Sequence, residues 1–156
     1  MTERVYRLMT NPNTWRYFVG LFKPSTTAHA HCDLFCGVYD PAQAKIEAMS
    51  VLKVAEKYQA SDDPVFRGRA ISIKEERAEE VKHHLMVLWA DFFSADHRAE
   101  FPQLDDLFWR AIHQAGDAKK SMDPEVGRKL VELIDEISEI FWSTEKAKGM
   151  GVYPPG

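Results

Sequence analysis

The sequence predicts an all-α protein, an antiparallel four-helix bundle, and three features lead to this prediction. Apolar side chains recur at spacings of three and four after residue 40, which is the period of one helix face. Asp-Pro pairs at 40–41 and 123–124 are typical of helix starts, because aspartate caps a first turn and proline fits into it. Strand-like alternation and internal repeats are missing, and short connections favour antiparallel neighbours.

Residues 1–30 differ from the rest of the chain, and we interpret them as a removable leader. They contain four basic residues and one acidic residue, whereas the whole chain has a formal charge of −4. Ala28-His29-Ala30 has the small residues that a signal peptidase reads, but the apolar run YFVGLF is too short for a secretory signal. We therefore expect a protease to remove the leader outside the general secretory route, and we expect a cytoplasmic protein.

Four helices are expected after a connecting segment at 31–40. Their approximate bounds are 41–60, 66–93 and 103–119, with the last helix beginning after Asp123-Pro124. Side chains on one stripe of each helix should face the core. The expected core residues are Ala78, Val81, Leu85, Leu88 and Phe92, then Leu104, Leu107, Phe108, Ala111 and Ala115, then Leu130, Leu133, Ile137 and Ile140. The segment SADHRAEFPQ interrupts the pattern, and the bundle should span 41–146 with a flexible tail at 147–156.

Composition argues against two kinds of partner. The chain is 45% apolar and 28% charged, which is typical of a globular domain. A net acidic chain lacks the basic face that binding to nucleic acid requires. Its apolar runs are much shorter than the roughly 20 residues of a membrane-spanning helix. We expect neither nucleic acid nor a membrane as a partner.

The chemistry of the chain is expected at its two cysteines, Cys32 and Cys36. Such a pair alone is compatible with a local disulfide, half of a zinc site or a redox metal site. Cleavage after Ala30 would give His31 a free amine. That amine, the Cys32 amide nitrogen and the two sulfurs could form a planar set of donors, which favours nickel(II) or copper(II) over zinc. The His31 imidazole is well placed as a weak axial ligand.

The segment HCDLFCGVYDPAQAKIEA closely resembles the metal-binding hook of nickel superoxide dismutases, which has the form HCDLPCGVYDPAQA. The likeness continues in DDP at 62–64, IKEERAE at 73–79, KHHL at 82–85, LW at 88–89 and IFW at 140–142. The resemblance implies a homohexamer of four-helix bundles with one nickel ion per subunit and a protease that removes the leader. It also implies dismutation of superoxide to oxygen and hydrogen peroxide, with nickel alternating between its divalent and trivalent states.

The resemblance implies roles for the residues of the hook. His31, Cys32 and Cys36 match the metal ligands, and Asp33 lies among them. Tyr39 matches a tyrosine beside the open face of the metal, where its hydroxyl could orient water or substrate. We therefore count Tyr39 with the three ligands as a catalytic residue.

Two residues of the helices match a pair behind the hook. The Glu47 carboxylate is expected near the axial imidazole, and the Arg77 guanidinium is expected beyond it. Partners of this type fix the orientation and the basicity of a ligating imidazole.

The chain departs from the family pattern at three positions. Phe35 replaces a proline that restrains the hook, and Phe92 replaces a tyrosine near the site. Ser94 replaces a lysine and so removes a cation that could attract an anion. Because an acidic protein must attract superoxide through local positive charge, we consider Arg69, Lys74 and Lys82 as candidate substitutes for this lysine.

Two other functions are compatible with parts of the sequence. Glu80 and His83 form a Glu-x-x-His unit, which di-iron oxidases of the ferritin type use, but no second unit occurs on another helix. We expect His83 and His84 to be structural. The other alternative is a helical interaction module without enzymatic activity, with a local disulfide in its N-terminal segment.

Overall fold

The structure is a computed structural model, and it describes residues 38–148. In this range all regular elements are helical, which confirms the all-α prediction. They are α1 (Ala42–Gln59), α2 (Pro64–Val87), a π-helical turn (Leu88–Phe92), α3 (Ala95–Glu100), α4 (Leu104–Lys120) and α5 (Pro124–Ser143). The leader, the metal ligands expected at 31–36 and the end of the tail lie outside the described residues.

The four long helices form a bundle in which each packs against two others, in the closed order α1, α2, α4, α5. Cross-helix contacts give their directions. Lys45, near the start of α1, forms an ion pair of 2.6 Å with Asp135 in the second half of α5. Gln59, at the end of α1, donates a hydrogen bond of 2.9 Å to the carbonyl of Met122, just before α5 begins. The two helices are therefore antiparallel, as a bundle with short connections predicts.

The predicted apolar stripes form the core. Every residue expected to be buried in the second and third predicted helices is buried. In α5 the stripe is rotated slightly, because Ile140 is only partly buried whereas Ile134 and Phe141 are fully buried. Together with Leu130 and Ile137, these two residues give spacings of four, three and four, which follow one helix face more closely than the predicted set.

The helix starts agree with the Asp-Pro signals, with small shifts. The Asp63 and Asp123 carboxylates each accept a hydrogen bond of 3.0 Å from the backbone two residues ahead, and a proline follows each aspartate. The sequence placed the second helix start at 66, but the capping by Asp63 starts it at Pro64. At α1 the Asp40 carboxylate accepts a hydrogen bond of 2.7 Å from the Ala42 amide, so the helix begins one residue later than predicted.

The second predicted helix does not continue unbroken to residue 93. After α2 a π-helical turn ends with a hydrogen bond of 3.1 Å from the Phe93 amide to the Leu88 carbonyl, five residues back. The wider turn lets the consecutive side chains of Phe92 and Phe93 both enter the core. The short helix α3 then begins where the sequence predicted only an interruption, with the Ser94 hydroxyl and the His97 side chain capping each other's backbone.

Lys74 of α2 is buried, and it stabilises the end of α4. Its ammonium donates hydrogen bonds to the carbonyls of Ala118, Lys119 and Ser121, at 2.5, 2.9 and 2.7 Å. The last carbonyls of a helix have no partner within the helix, so this cation satisfies them. Burial lowers the pKa of Lys74, and the neighbouring Glu75 opposes this effect.

Within the described range, the helices are all too short or too polar to cross a membrane. The chain after α5 turns back on itself, and Ala147 is fully buried. This residue belongs to the core, although the sequence placed it at the start of the flexible tail.

Candidate metal centre

Tyr39 lies shortly after the expected metal ligands in the sequence, and it packs at one end of the bundle. The residue is buried, and its ring meets the ring of Phe92 edge-on, with centroids 5.9 Å apart. Phe92 in turn packs on Phe141 of α5, with centroids 4.1 Å apart. The tyrosine that the resemblance placed beside the metal is therefore fixed at one end of the bundle by aromatic contacts.

Phe92 is the centre of this aromatic cluster. Only 1% of it is exposed, and its ring also stacks on His97 of α3 and meets Phe93 edge-on. The π-helical turn is what brings Phe92 to this position. The departure from the family tyrosine at this position therefore lies directly against Tyr39.

A lysine that the sequence analysis did not select lies at the same cluster. The Lys146 ammonium donates a hydrogen bond of 2.9 Å to the Phe92 carbonyl. It lies 4.4 Å from the centroid of the Phe92 ring and 5.5 Å from that of Tyr39. These distances are typical of cation–π contacts. Lys146 follows Phe92 by 54 positions in the sequence, so no local sequence signal indicates this contact.

Asp40 presents a second polar group next to Tyr39. One carboxylate oxygen accepts the hydrogen bond from the α1 backbone, as described above. The other oxygen, Oδ2, is buried, and within residues 38–148 it has no hydrogen-bond partner. A buried oxygen without a donor costs free energy, so this atom offers an acceptor site at the base of the hook.

The structure brings Glu47 and Arg77 together, as the resemblance implied. Arg77 Nη1 lies 3.2 Å and 3.1 Å from the two carboxylate oxygens of Glu47, and both side chains are largely covered. The other terminal nitrogen of Arg77 contacts the exposed Glu76. The hydrogen bond to Glu76 and then the charge of Glu47 raise the pKa of the Arg77 guanidinium. His31, whose imidazole this pair is expected to support, lies outside the described residues.

The three cations proposed to attract superoxide do not surround Tyr39. Lys74 is 1% exposed and occupied by backbone carbonyls, so the idea that it steers an anion is wrong. Arg69 lies near the start of α2, toward the end of the bundle opposite to Tyr39, because α2 begins after the end of α1 whereas Tyr39 precedes the start of α1. Lys82 lies against Gly116 of α4. In the described part of the chain, Lys146 is the lysine found on the Tyr39 ring.

Glu80 and His83 do not meet further ligands within residues 38–148. In this range, no three side chains of the types His, Cys, Asp and Glu converge to a cluster that could hold a metal ion. The ring of His83 contacts that of His84, with centroids 5.5 Å apart, and His83 is exposed. A di-iron site in the bundle therefore lacks its ligands in the described region.

Comparisons with known proteins agree with the resemblance. The family model of nickel-containing superoxide dismutases matches residues 26–145. A nickel superoxide dismutase of Streptomyces coelicolor is 51% identical over 127 residues, which are 81% of this chain and 97% of that protein. A second one, of Streptomyces seoulensis, is equally similar over the same lengths.

Solved structures give the same result for the fold. A native nickel superoxide dismutase is 51% identical with a TM-score of 0.72, and the match covers 75% of this chain and all of that one. A structure with nickel ligation of the oxidised state is 52% identical, with the same TM-score and coverage. The chain belongs to the family of nickel-containing superoxide dismutases.

Proposed function

We propose that this chain is the precursor of a nickel-dependent superoxide dismutase whose metal site forms at His31 after the leader is removed. The activity follows from membership of the family, and two superoxide ions and two protons give oxygen and hydrogen peroxide. The observation that carries the proposal is the segment HCDLFCGVYD at 31–40, which lies inside the matched range 26–145.

The donor set of this segment fits nickel. Two thiolates, a backbone amide and an amine favour a square-planar metal ion, and His31, Cys32 and Cys36 would supply them. Both cysteines bind as thiolates, so binding releases protons. Bound nickel supplies one-electron oxidation and reduction by alternating between its divalent and trivalent states.

The surrounding residues of the chain hold substrate and ligands in place. We propose that the Tyr39 hydroxyl orients water or superoxide at the open face of the site, because the buried ring is fixed against Phe92. Asp33 lies among the ligands and is proposed to support the hook. The Glu47 carboxylate, held by Arg77, is proposed to orient the His31 imidazole.

Cleavage between Ala30 and His31 is the activating step of this proposal. In the uncut chain the nitrogen of His31 is part of a peptide bond, and its lone pair is delocalised into the Ala30 carbonyl. It is therefore a poor ligand. The match to the native solved structure covers all of that chain and 75% of this one, which supports the proposal that this chain has a segment that the solved protein lacks. The protease and the cytoplasmic location are part of the same proposal.

Assembly into a homohexamer is also proposed. Large apolar side chains are exposed on the outer faces of α1 and α2, among them Ile46, Met49, Val65 and Ile73. A cavity of about 400 Å³ opens between the end of α1 and the start of α2, lined by Val54, Val65, Phe66 and Ile73 among others. Apolar surface of this kind favours contact between subunits. Sedimentation equilibrium of the trimmed protein measures the number of subunits directly.

The experiment that tests the proposed function combines metal analysis with an assay. A chain that begins at His31 is reconstituted with nickel under anaerobic conditions, and nickel per chain and the rate of superoxide loss are measured. We expect one nickel ion per chain and rapid loss of superoxide. Iron in its place would favour a di-iron oxidase, and a metal-free protein with a Cys32–Cys36 disulfide would favour an interaction module.

A further inference from the structure

The Lys146 ammonium contacts two aromatic rings in addition to the Phe92 carbonyl to which it donates. Its ammonium lies over Phe92 and beside Tyr39, at the end of the bundle where the hook segment enters α1. A lysine that only improves solubility extends into water. This one is held at the residue that the proposed mechanism places against the substrate.

Two features of the fold fix the lysine in this position. The Phe92 carbonyl comes at the end of the π-helical turn, where helix carbonyls lack partners, and Lys146 supplies the donor. On the other side, the buried Thr144 hydroxyl accepts a hydrogen bond of 3.3 Å from the Ala147 amide, and the Ala147 side chain is buried. The turn between these residues holds the backbone of Lys146 against the bundle.

The distance from this cation to Tyr39 is short enough for an electrostatic effect. The Lys146 ammonium lies 5.5 Å from the centroid of the Tyr39 ring. Charges in physiological salt act over about 8 Å, and over more where protein excludes water. The lysine is therefore within electrostatic reach of an anion at the Tyr39 ring.

The cation expected from the family pattern is missing at residue 94. Ser94 does different work here, because its hydroxyl caps α3 through His97. Lys146, which follows the last helix, brings positive charge to the same aromatic cluster, since His97 and Lys146 both contact Phe92.

We propose that Lys146 is a positioning residue that provides the local positive charge for superoxide at Tyr39. This inference rests on the proposed function. The charge attracts the anion to the open face, and the cation–π contact helps to hold the ring of Tyr39. Lys146 does not touch the metal ion.

The test compares four variants of the trimmed, nickel-loaded enzyme with the wild type. Lys146→Gln retains a hydrogen-bond donor but removes the charge, and Lys146→Met retains an apolar stem over the rings. Lys146→Arg keeps the charge. Lys148→Gln is the matched control, because it removes one charge from an exposed lysine two residues away that pairs with Glu145.

The first readout is the dissociation constant of azide, a small anion, whose binding is measured through the change in absorption of the metal site. We expect it to rise about three- to tenfold in Lys146→Gln and Lys146→Met, and to change less than twofold in Lys146→Arg and in the control. The second readout is the rate constant for superoxide as a function of ionic strength. It should depend less on salt in the two uncharged variants.

The outcomes separate this inference from the proposed function. A wild type without nickel or without dismutation contradicts the proposed function, whatever residue stands at 146. A normal wild type combined with equal azide binding and equal salt dependence in Lys146→Gln and Lys148→Gln overturns the role of Lys146. If Lys146→Gln fails to fold, Lys146→Met decides between the same two results.

Discussion

Arg77 of α2 donates from one terminal nitrogen to both carboxylate oxygens of Glu47 in α1, at 3.2 and 3.1 Å. The Glu47 side chain is 17% exposed and that of Arg77 is 30% exposed, so the pair is partly shielded from water. Such a pair fixes one carboxylate between two antiparallel helices. A fixed carboxylate is suited to orient a ligating imidazole, which is the role proposed here for Glu47.

Glu47→Gln is expected to reduce turnover about tenfold or more while nickel still binds, because the neutral amide orients an imidazole less strongly. Superoxide decay per nickel ion and the electron paramagnetic resonance of the oxidised enzyme measure the two effects. Glu76→Gln is the matched control, since Glu76 contacts the outer nitrogen of Arg77 and is 64% exposed. An equal loss in the control would contradict a specific role for Glu47.

Cys32→Ser and Cys36→Ser are each expected to abolish nickel-dependent dismutation. Each change removes a thiolate, and both thiolates are needed to make the trivalent state accessible. Nickel content and superoxide decay are measured on the trimmed chain, with circular dichroism to confirm the helices. Turnover at the wild-type rate in either variant would show that the ligand set is different.

Phe92→Tyr is expected to leave nickel per chain unchanged while altering turnover or its pH dependence. The substitution adds a hydroxyl to a ring that contacts Tyr39 and changes no ligand. Phe93→Tyr is the control, because Phe93 is the adjacent buried ring and packs on Phe108. Identical pH–rate profiles for Phe92→Tyr and the wild type would mean that the hydroxyl has no part in the reaction.

Lys74→Met is expected to lower the free energy of unfolding by about 3 kcal/mol, because three carbonyls at buried or partly buried positions lose their charged donor. Lys120→Met changes an 81% exposed side chain near the same end of α4, and it should cost less than about 0.5 kcal/mol. Denaturant unfolding measures both values. Equal stability of the two variants would refute the stabilising role of Lys74.

The same residue gives a pH dependence with a definite sign. Burial lowers the pKa of Lys74 in the folded state. Between that pKa and the unfolded value of about 10.4, the unfolded chain holds more protons, so the free energy of unfolding rises with pH. The rise is measured as the difference between wild type and Lys74→Met over this window. A difference that falls as pH rises contradicts the sign.

The helices could be predicted from the sequence because burial repeats locally. Val81, Leu85 and Leu88 lie on one face whatever they pack against. The π-helical turn could not, because it depends on how Phe92 and Phe93 fit between α3 and α5. The Ser94 start of α3 carries a capping signal, but His97 stands where Glu or Gln usually completes it.

The site could be predicted less completely. Glu47 and Arg77 were identified through the resemblance, since no helical pattern says which surface charges meet across two helices. The sequence gives no sign that Lys74 is buried, but the carbonyls at the end of α4 require a hydrogen-bond donor at this position. Lys146 follows the last helix, and only the tertiary structure brings it to Tyr39.

The most direct test of the account is whether cleavage between Ala30 and His31 switches the enzyme on. Full-length protein and a chain that begins at His31 are each reconstituted with nickel anaerobically, and superoxide loss is measured per nickel ion bound. The account predicts rapid loss with the chain that begins at His31 and none above free nickel with the full-length protein, because only the former has an amine ligand. Equal activity per nickel ion, with the leader shown intact by mass spectrometry, would contradict it.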